Sequence, residues 1–115
     1  MDYIDASVVA VPTDNKDKYI EHAKAAAAIF KQYGALRVVE SWGDDVPEGK
    51  VTSLPMAVKC EQNETVVFSL IVWPSKAMRD KGWENVMKDE RLNDFCMPFD
   101  GSRMIFGGFQ MIVDE

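Results

Sequence analysis

Thr65 to Ser75 reads TVVFSLIVWPS, seven apolar residues among the first nine, then a proline and a serine. As a strand, the run places Val66, Phe68, Leu70 and Val72 on one face and Val67, Ile71 and Trp73 on the other. Thr65 and Ser69 are its polar exceptions. A strand apolar on both faces is expected to be covered on both. Pro74 ends it and Ser75 supplies the N-cap of a helix. The same punctuation occurs earlier, where Val11-Pro12-Thr13 follows an alternating strand from Tyr3 to Val11. Ile4, Ala6, Val8 and Ala10 share one face of that strand, and Tyr3, Asp5, Ser7, Val9 and Val11 share the other.

Each of these strands leads into a helical pattern and then a glycine-marked return. From about Lys16, the residues Tyr19, Ala23, Ala26, Ala27, Phe30 and Tyr33 form one helical stripe, and Gly34 suits the left-handed position after the helix. The short side chains of Ala25 to Ala28 let such a helix lie close to a sheet. In the second helix Ala77, Val86 and Met87 are expected to face the sheet, with Arg79, Asp80, Lys81 and Lys88 in water. Gly82 weakens it by about 1 kcal/mol relative to Ala. The helix exit Gly34-Ala35-Leu36-Arg37 resembles Gly101-Ser102-Arg103, which opens a last strand expected from Arg103 to Val113. Two successive βαβ halves make a βαββαβ chain. The expected fold is therefore α+β and ferredoxin-like, one domain over residues 1–115, with both helices on one face of an antiparallel sheet.

That arrangement leaves the second sheet face without a cover. Four strands about 4.8 Å apart and ~17–20 Å long present roughly 350 Å², near the largest apolar patch a monomer usually exposes. A symmetric homodimer packed through this face, a dimeric α+β barrel, would cover it. The face expected to be buried against the second copy carries Val9, Val11, Val67, Ile71 and Trp73. It also carries Asp5, Ser7 and Ser69 and, depending on register, either Glu40 with Trp42 or Arg37 with Ser41. Enclosed polar groups need partners or a wet cavity, which makes this the place for a ligand.

Leu36 to Lys50, LRVVESWGDDVPEGK, carries the most function-like residues. Leu36, Val38, Glu40 and Trp42 alternate with Arg37, Val39 and Ser41, Gly43 ends the strand, and Val46-Pro47-Glu48-Gly49 suits a type I turn. Asp44 and Asp45 then lie at a strand end. They form either a cation site or a solvated turn in which an aspartate caps its own backbone; the spacing lacks the alternating ligands and central glycine of a calcium loop. Glu40 or Asp5 is the candidate acid or base, Arg37 or Arg103 the candidate anion clamp, and Trp42 or Trp73 the candidate apolar wall. For each there is a plainer alternative, an ion pair or core packing.

Composition excludes several classes. A net charge of −6 with scattered Lys and Arg argues against nucleic acid. The opening Met1-Asp2-Tyr3 lacks the charged region of a secretory signal, and no apolar run approaches the ~20 residues of a membrane span, so a cytoplasmic protein is expected. Cys60 and Cys96, with a single His in the chain, cannot assemble a Cys/His zinc site and are expected to be reduced and partly buried. No metal site is expected. His22 lies at the edge of the first helical stripe and reads as a solvated side chain. Val51 to Cys60 carries little periodicity, with a short strand expected at Met56 to Cys60. Gly107-Gly108 marks a bulge or close packing against an aromatic ring.

Gly34 to Thr52, with ETVVFS from Glu64, WPSK from Trp73 and MPFDGSRMIFGGF from Met97, resembles the YbaA-like family of small bacterial proteins. The resemblance implies the dimeric α+β barrel superfamily and brings no activity with it. More distant barrel relatives include cofactor-independent monooxygenases and haem-degrading proteins, which bring His, Asn or Trp constellations into the cavity. Here the only His is on the first helix, which argues against both. The resulting expectation is a homodimer that binds or transforms a small molecule in a cavity on the sheet face. The alternative is a ligand-free dimer that meets protein partners through its acidic surface. The sequence names no cofactor, substrate or reaction.

Overall fold

The computed structural model describes residues 1–115. Strand β1 (Tyr3–Pro12) leads through a 3-10 turn (Thr13–Asn15) into helix α1 (Lys16–Gln32), followed by β2 (Arg37–Trp42). A short helix α2 (Leu54–Ala57) precedes β3 (Glu64–Trp73), helix α3 (Lys76–Lys88), two further 3-10 turns and β4 (Ile105–Gln110). The strands form one four-stranded antiparallel sheet in the order β2-β3-β1-β4. The fold is α+β.

Local chemistry accounts for most boundaries. Ser75 Oγ accepts the Met78 N–H at 3.1 Å and starts α3. Gly34, at φ +114°, ends α1 in the left-handed region. The start of α1 is different, because Asn15 makes no side-chain cap. Its amide instead donates to the Pro98 carbonyl at 3.1 Å and ties the helix entrance to a later loop. The strand expected at Met56 to Cys60 is replaced by α2. Ser53 Oγ caps the Met56 N–H and Pro55 occupies the first turn, where its missing N–H costs nothing. The last strand is shorter than expected, because Gly101–Arg103 forms a 3-10 turn.

The alternation of faces along β1 and β3 is as read from sequence, but the two faces have exchanged roles. Val9, Val11 and Val67 pack with Tyr19 and Ala23 of α1. Trp73 is fully buried against α1 and α3, through Phe30 and Gly82. The face expected to be open is therefore the one beneath the helices. The opposite face is covered only at one end, where Val58 joins Val8, Ala10 and Val66. Elsewhere it is bare: Phe68, Ile105 and Phe109 are 40%, 43% and 52% exposed. Register places Phe109 opposite Ile4 and sets Phe68 and Ile105 on either side of Val8, with the Ala6–Leu70 pair between them on the same face. Thus β3 is covered on both faces only over part of its length.

Helix α3 also turns differently from the expectation. Its inward stripe is Arg79, Gly82, Trp83 and Val86, whereas Ala77 and Met87 point outward. The reason is a charged group inside. Asp5 Oδ1 accepts from Arg79 Nε and Nη2 at 3.0 and 2.8 Å, and Oδ2 accepts the Trp73 and Trp83 indole N–H groups at 2.9 and 2.8 Å. One carboxylate thus joins β1, β3 and α3, and its burial is compensated by hydrogen bonding on both oxygens.

Candidate functional site

The small residues Ala23 and Ala27 leave space between α1 and the outer strand β2. The result is a groove of about 340 Å³, lined chiefly by apolar side chains including Ile20, Val38, Trp42 and Val67. Lys16 and Lys24 line its helical side, and Glu40 lies on the strand side between Val38 and Trp42. The Lys16 ammonium stands over the Trp42 ring, 5.4 Å from its centroid.

Glu40 is the chemical centre of this groove. Its Oε1 accepts from both the Tyr19 hydroxyl and Ser69 Oγ, each at 2.5 Å. Cross-strand register makes the second contact, since Glu40 and Ser69 are direct partners. Helix phase makes the first, because Tyr19 faces the sheet one turn into α1. Burial pushes the Tyr19 phenol well above its ordinary value, and the adjacent Glu40 carboxylate adds to the shift, so Tyr19 remains a donor at neutral pH. No protein group donates to Glu40 Oε2. A carboxylate with one oxygen fixed by two hydroxyls and the other free can accept a hydrogen bond, or a proton, from a molecule in the groove.

The other sequence candidates do not converge here. Asp5 and Trp73 form the separate tie to Arg79 and Trp83 and are structural. Arg103 is not free to clamp an anion: it holds Glu64 through two 2.7 Å bonds and also contacts Asp100. Its guanidinium draws the Glu64 carboxyl below the ordinary carboxylate range. Arg37 is exposed at the rim of the uncovered sheet face, opposite Val72 and on the other side of β2 from Glu40. Asp44 and Asp45 are exposed in the turn after β2. Asp44 borders a second, polar groove with Glu48, Glu61 and Glu64, and no three His, Cys, Asp or Glu groups are placed to hold a metal ion.

His22 is not solvated as expected. It is half-buried, with its ring edge-on to Phe95 at 5.2 Å and to Phe99 at 6.2 Å, and burial lowers its pKa. The thiols are free; burial pushes Cys60 up, while Cys96 is exposed rather than partly buried. Register Gly107–Ala6 and Gly108–Asp5 runs without a bulge. Gly108 instead admits the Tyr3 ring and Arg79, since a Cβ there would stand 2.5 Å from the Tyr3 hydroxyl.

Sequence reasoning named Glu40, Trp42 and Ser69 but missed Tyr19, Lys16 and Lys24. Tyr19 was legible only as a stripe residue, and the two lysines occur at i−3 and i+5 from it with no local mark of a site.

The α+β chain matches a known protein family in sequence across most of its length. The chain belongs to the family described as protein of unknown function (DUF1428), whose model matches residues 2–101. It is 57% identical over 117 residues to the uncharacterized protein YbaA of Escherichia coli (strain K12), covering all of both chains. The same identity and coverage hold for the YbaA protein of Shigella flexneri. The YbaA-like resemblance read from the motifs is therefore correct. No helix is long and apolar enough to cross a membrane.

Proposed function

We propose that this protein is a homodimer of the dimeric α+β barrel type that binds a small apolar molecule carrying a hydrogen-bond donor in the groove between α1 and β2. The observation that carries the reading is Glu40, one oxygen held by Tyr19 and Ser69 and the other without a protein donor, in a largely apolar groove. Pre-positioned acceptors of this kind give orientation, while apolar walls give affinity.

The strand order β2-β3-β1-β4 and the succession of two βαβ halves support a ferredoxin-like arrangement. The dimer reading rests on the uncovered sheet face, on which Phe68, Ile105 and Phe109 lie. That face is smaller than the roughly 800 Å² per partner of a typical stable interface. The interface therefore extends to exposed apolar residues past the end of β4 such as Ile112 and Val113, which are 83% and 70% exposed. Cytoplasmic residence belongs to the same proposal.

The test of the groove is a titration with p-cresol and with 4-methylanisole, which has a similar body but no donor, followed through backbone amide shifts. The expected result is shifts in α1 and β2 and a preference for p-cresol that Glu40→Gln removes. Equal binding of the two probes by the wild type, or binding elsewhere, would contradict the reading.

A further inference from the structure

The groove differs in charge from the molecule around it. The chain carries a net charge of −6, yet the charged residues lining the groove are two lysines and one glutamate. None of the ion pairs in the structure engages Lys16 or Lys24.

The arrangement along the groove is ordered. Glu40 is aligned with Tyr19 by their hydrogen bond. At 1.5 Å per residue, the Lys16 Cα lies about 4.5 Å before Tyr19 along the α1 axis and the Lys24 Cα about 7.5 Å after it. Along α1 the Glu40 contact thus falls between the positions of the two lysines. Trp42 forms the wall at the Lys16 end, and Val38 and Ala27 form the walls farther along.

We infer that the ligand of this groove is a hydroxyaryl carboxylic acid, with its hydroxyl on Glu40 Oε2, its ring against the apolar wall and its carboxylate on the ammonium of Lys16 or Lys24; this rests on the reading of the groove as a small-molecule site. A phenol spaced from its carboxylate by one ring can engage Glu40 and a lysine of the same groove at once, with its ring against the apolar wall between them. Charge complementarity selects the acid over a neutral phenol, and the hydroxyl selects it over an acid without a donor. A ligand presenting only a carboxylate leaves Glu40 Oε2 without a donor, which disfavours it.

The experiment compares 4-hydroxyphenylacetate, p-cresol and phenylacetate by amide-shift titration at low salt. The wild type is expected to bind 4-hydroxyphenylacetate about tenfold more tightly than p-cresol, as one charge-assisted contact provides. In Lys16→Met/Lys24→Met that preference disappears while p-cresol binding persists. Glu40→Gln, in contrast, brings 4-hydroxyphenylacetate down to the level of phenylacetate. Binding of p-cresol equal to or tighter than that of the acid, or an unchanged ratio in the double lysine variant, overturns the inference but leaves the small-molecule reading standing. Binding of none of the three probes overturns both. Lys16→Gln/Lys24→Gln, which keeps both positions polar, serves as the second variant should the methionines alter the fold.

Discussion

Gly82 of α3 lies directly against the indole of Trp73: a Cβ at position 82 would stand 2.3 Å from the ring. The contact lets α3 approach β3 closely enough for Trp73 to be fully buried and for Trp83 to reach Asp5. A glycine that reads as a helix weakness is thus the condition for packing the second half of the fold.

Gly82→Ala is accordingly expected to destabilise the protein by about 1–3 kcal/mol through overpacking, opposing the gain of about 1 kcal/mol that alanine brings to an exposed helix. Urea denaturation checks the sign. A more stable variant would mean that Trp73 and α3 do not meet as described.

Asp5→Asn should be among the most damaging single changes. It removes the charge that compensates Arg79, and an amide cannot accept on both sides as the carboxylate does. Losing one partner of a buried pair costs ~3–5 kcal/mol, and since a quarter of the Arg79 side chain is exposed, about 2–4 kcal/mol is expected after solvent screening. In a cycle with Arg79→Met the two losses should not add, because they remove the same interaction.

Two parts of the pH dependence should be separable. His22 has a lowered pKa in the folded protein because burial disfavours its charged form. Its contribution is present above the ordinary value of 6.5 and is lost as pH falls through the depressed folded value. Glu64 is lowered from 4.5, first by its hydrogen bonds from Arg103. Its contribution is present above 4.5 and disappears only as pH falls below that, through the folded value. Stability measured by urea from pH 8 to 3 should therefore fall in two stages. His22→Phe should flatten the first and Glu64→Gln should reduce the second, to which Asp89 and Asp100, held down by their own hydrogen bonds, also contribute. A His22 variant that changes the acid stage instead would contradict the assignment.

Local chemistry carried most of the fold. The alternation of β1 and β3, the stop at Pro74 and the Ser75 cap were legible because each depends on neighbours in sequence. The side of the sheet that the helices cover was not. Asp5, Ser69 and Glu40 look like residues of a wet face until Arg79, Trp83 and Tyr19 are brought to the two carboxylates from 21 to 78 positions away by the helices, and no period within a strand reports that. The uncovered face, with Phe68 and Leu70 beside Ala6 and Val8, looks more like a core than the core does. The site was half legible for the same reason: Glu40 and Trp42 stood out on one strand, whereas Lys16, Tyr19 and Lys24 meet them only through the tertiary fold.

The central claim is that the two sheet faces divide the work, with the Glu40 groove beneath α1 and a second copy on the face of Phe68 and Phe109. Native mass spectrometry of the wild type and of Phe109→Asp tests it most directly. The wild type is predicted to give twice the 13.0 kDa chain mass, and the variant, folded by circular dichroism, a single chain that still binds p-cresol. A monomeric wild type, or a Phe109→Asp dimer as stable as the wild type, would contradict the account.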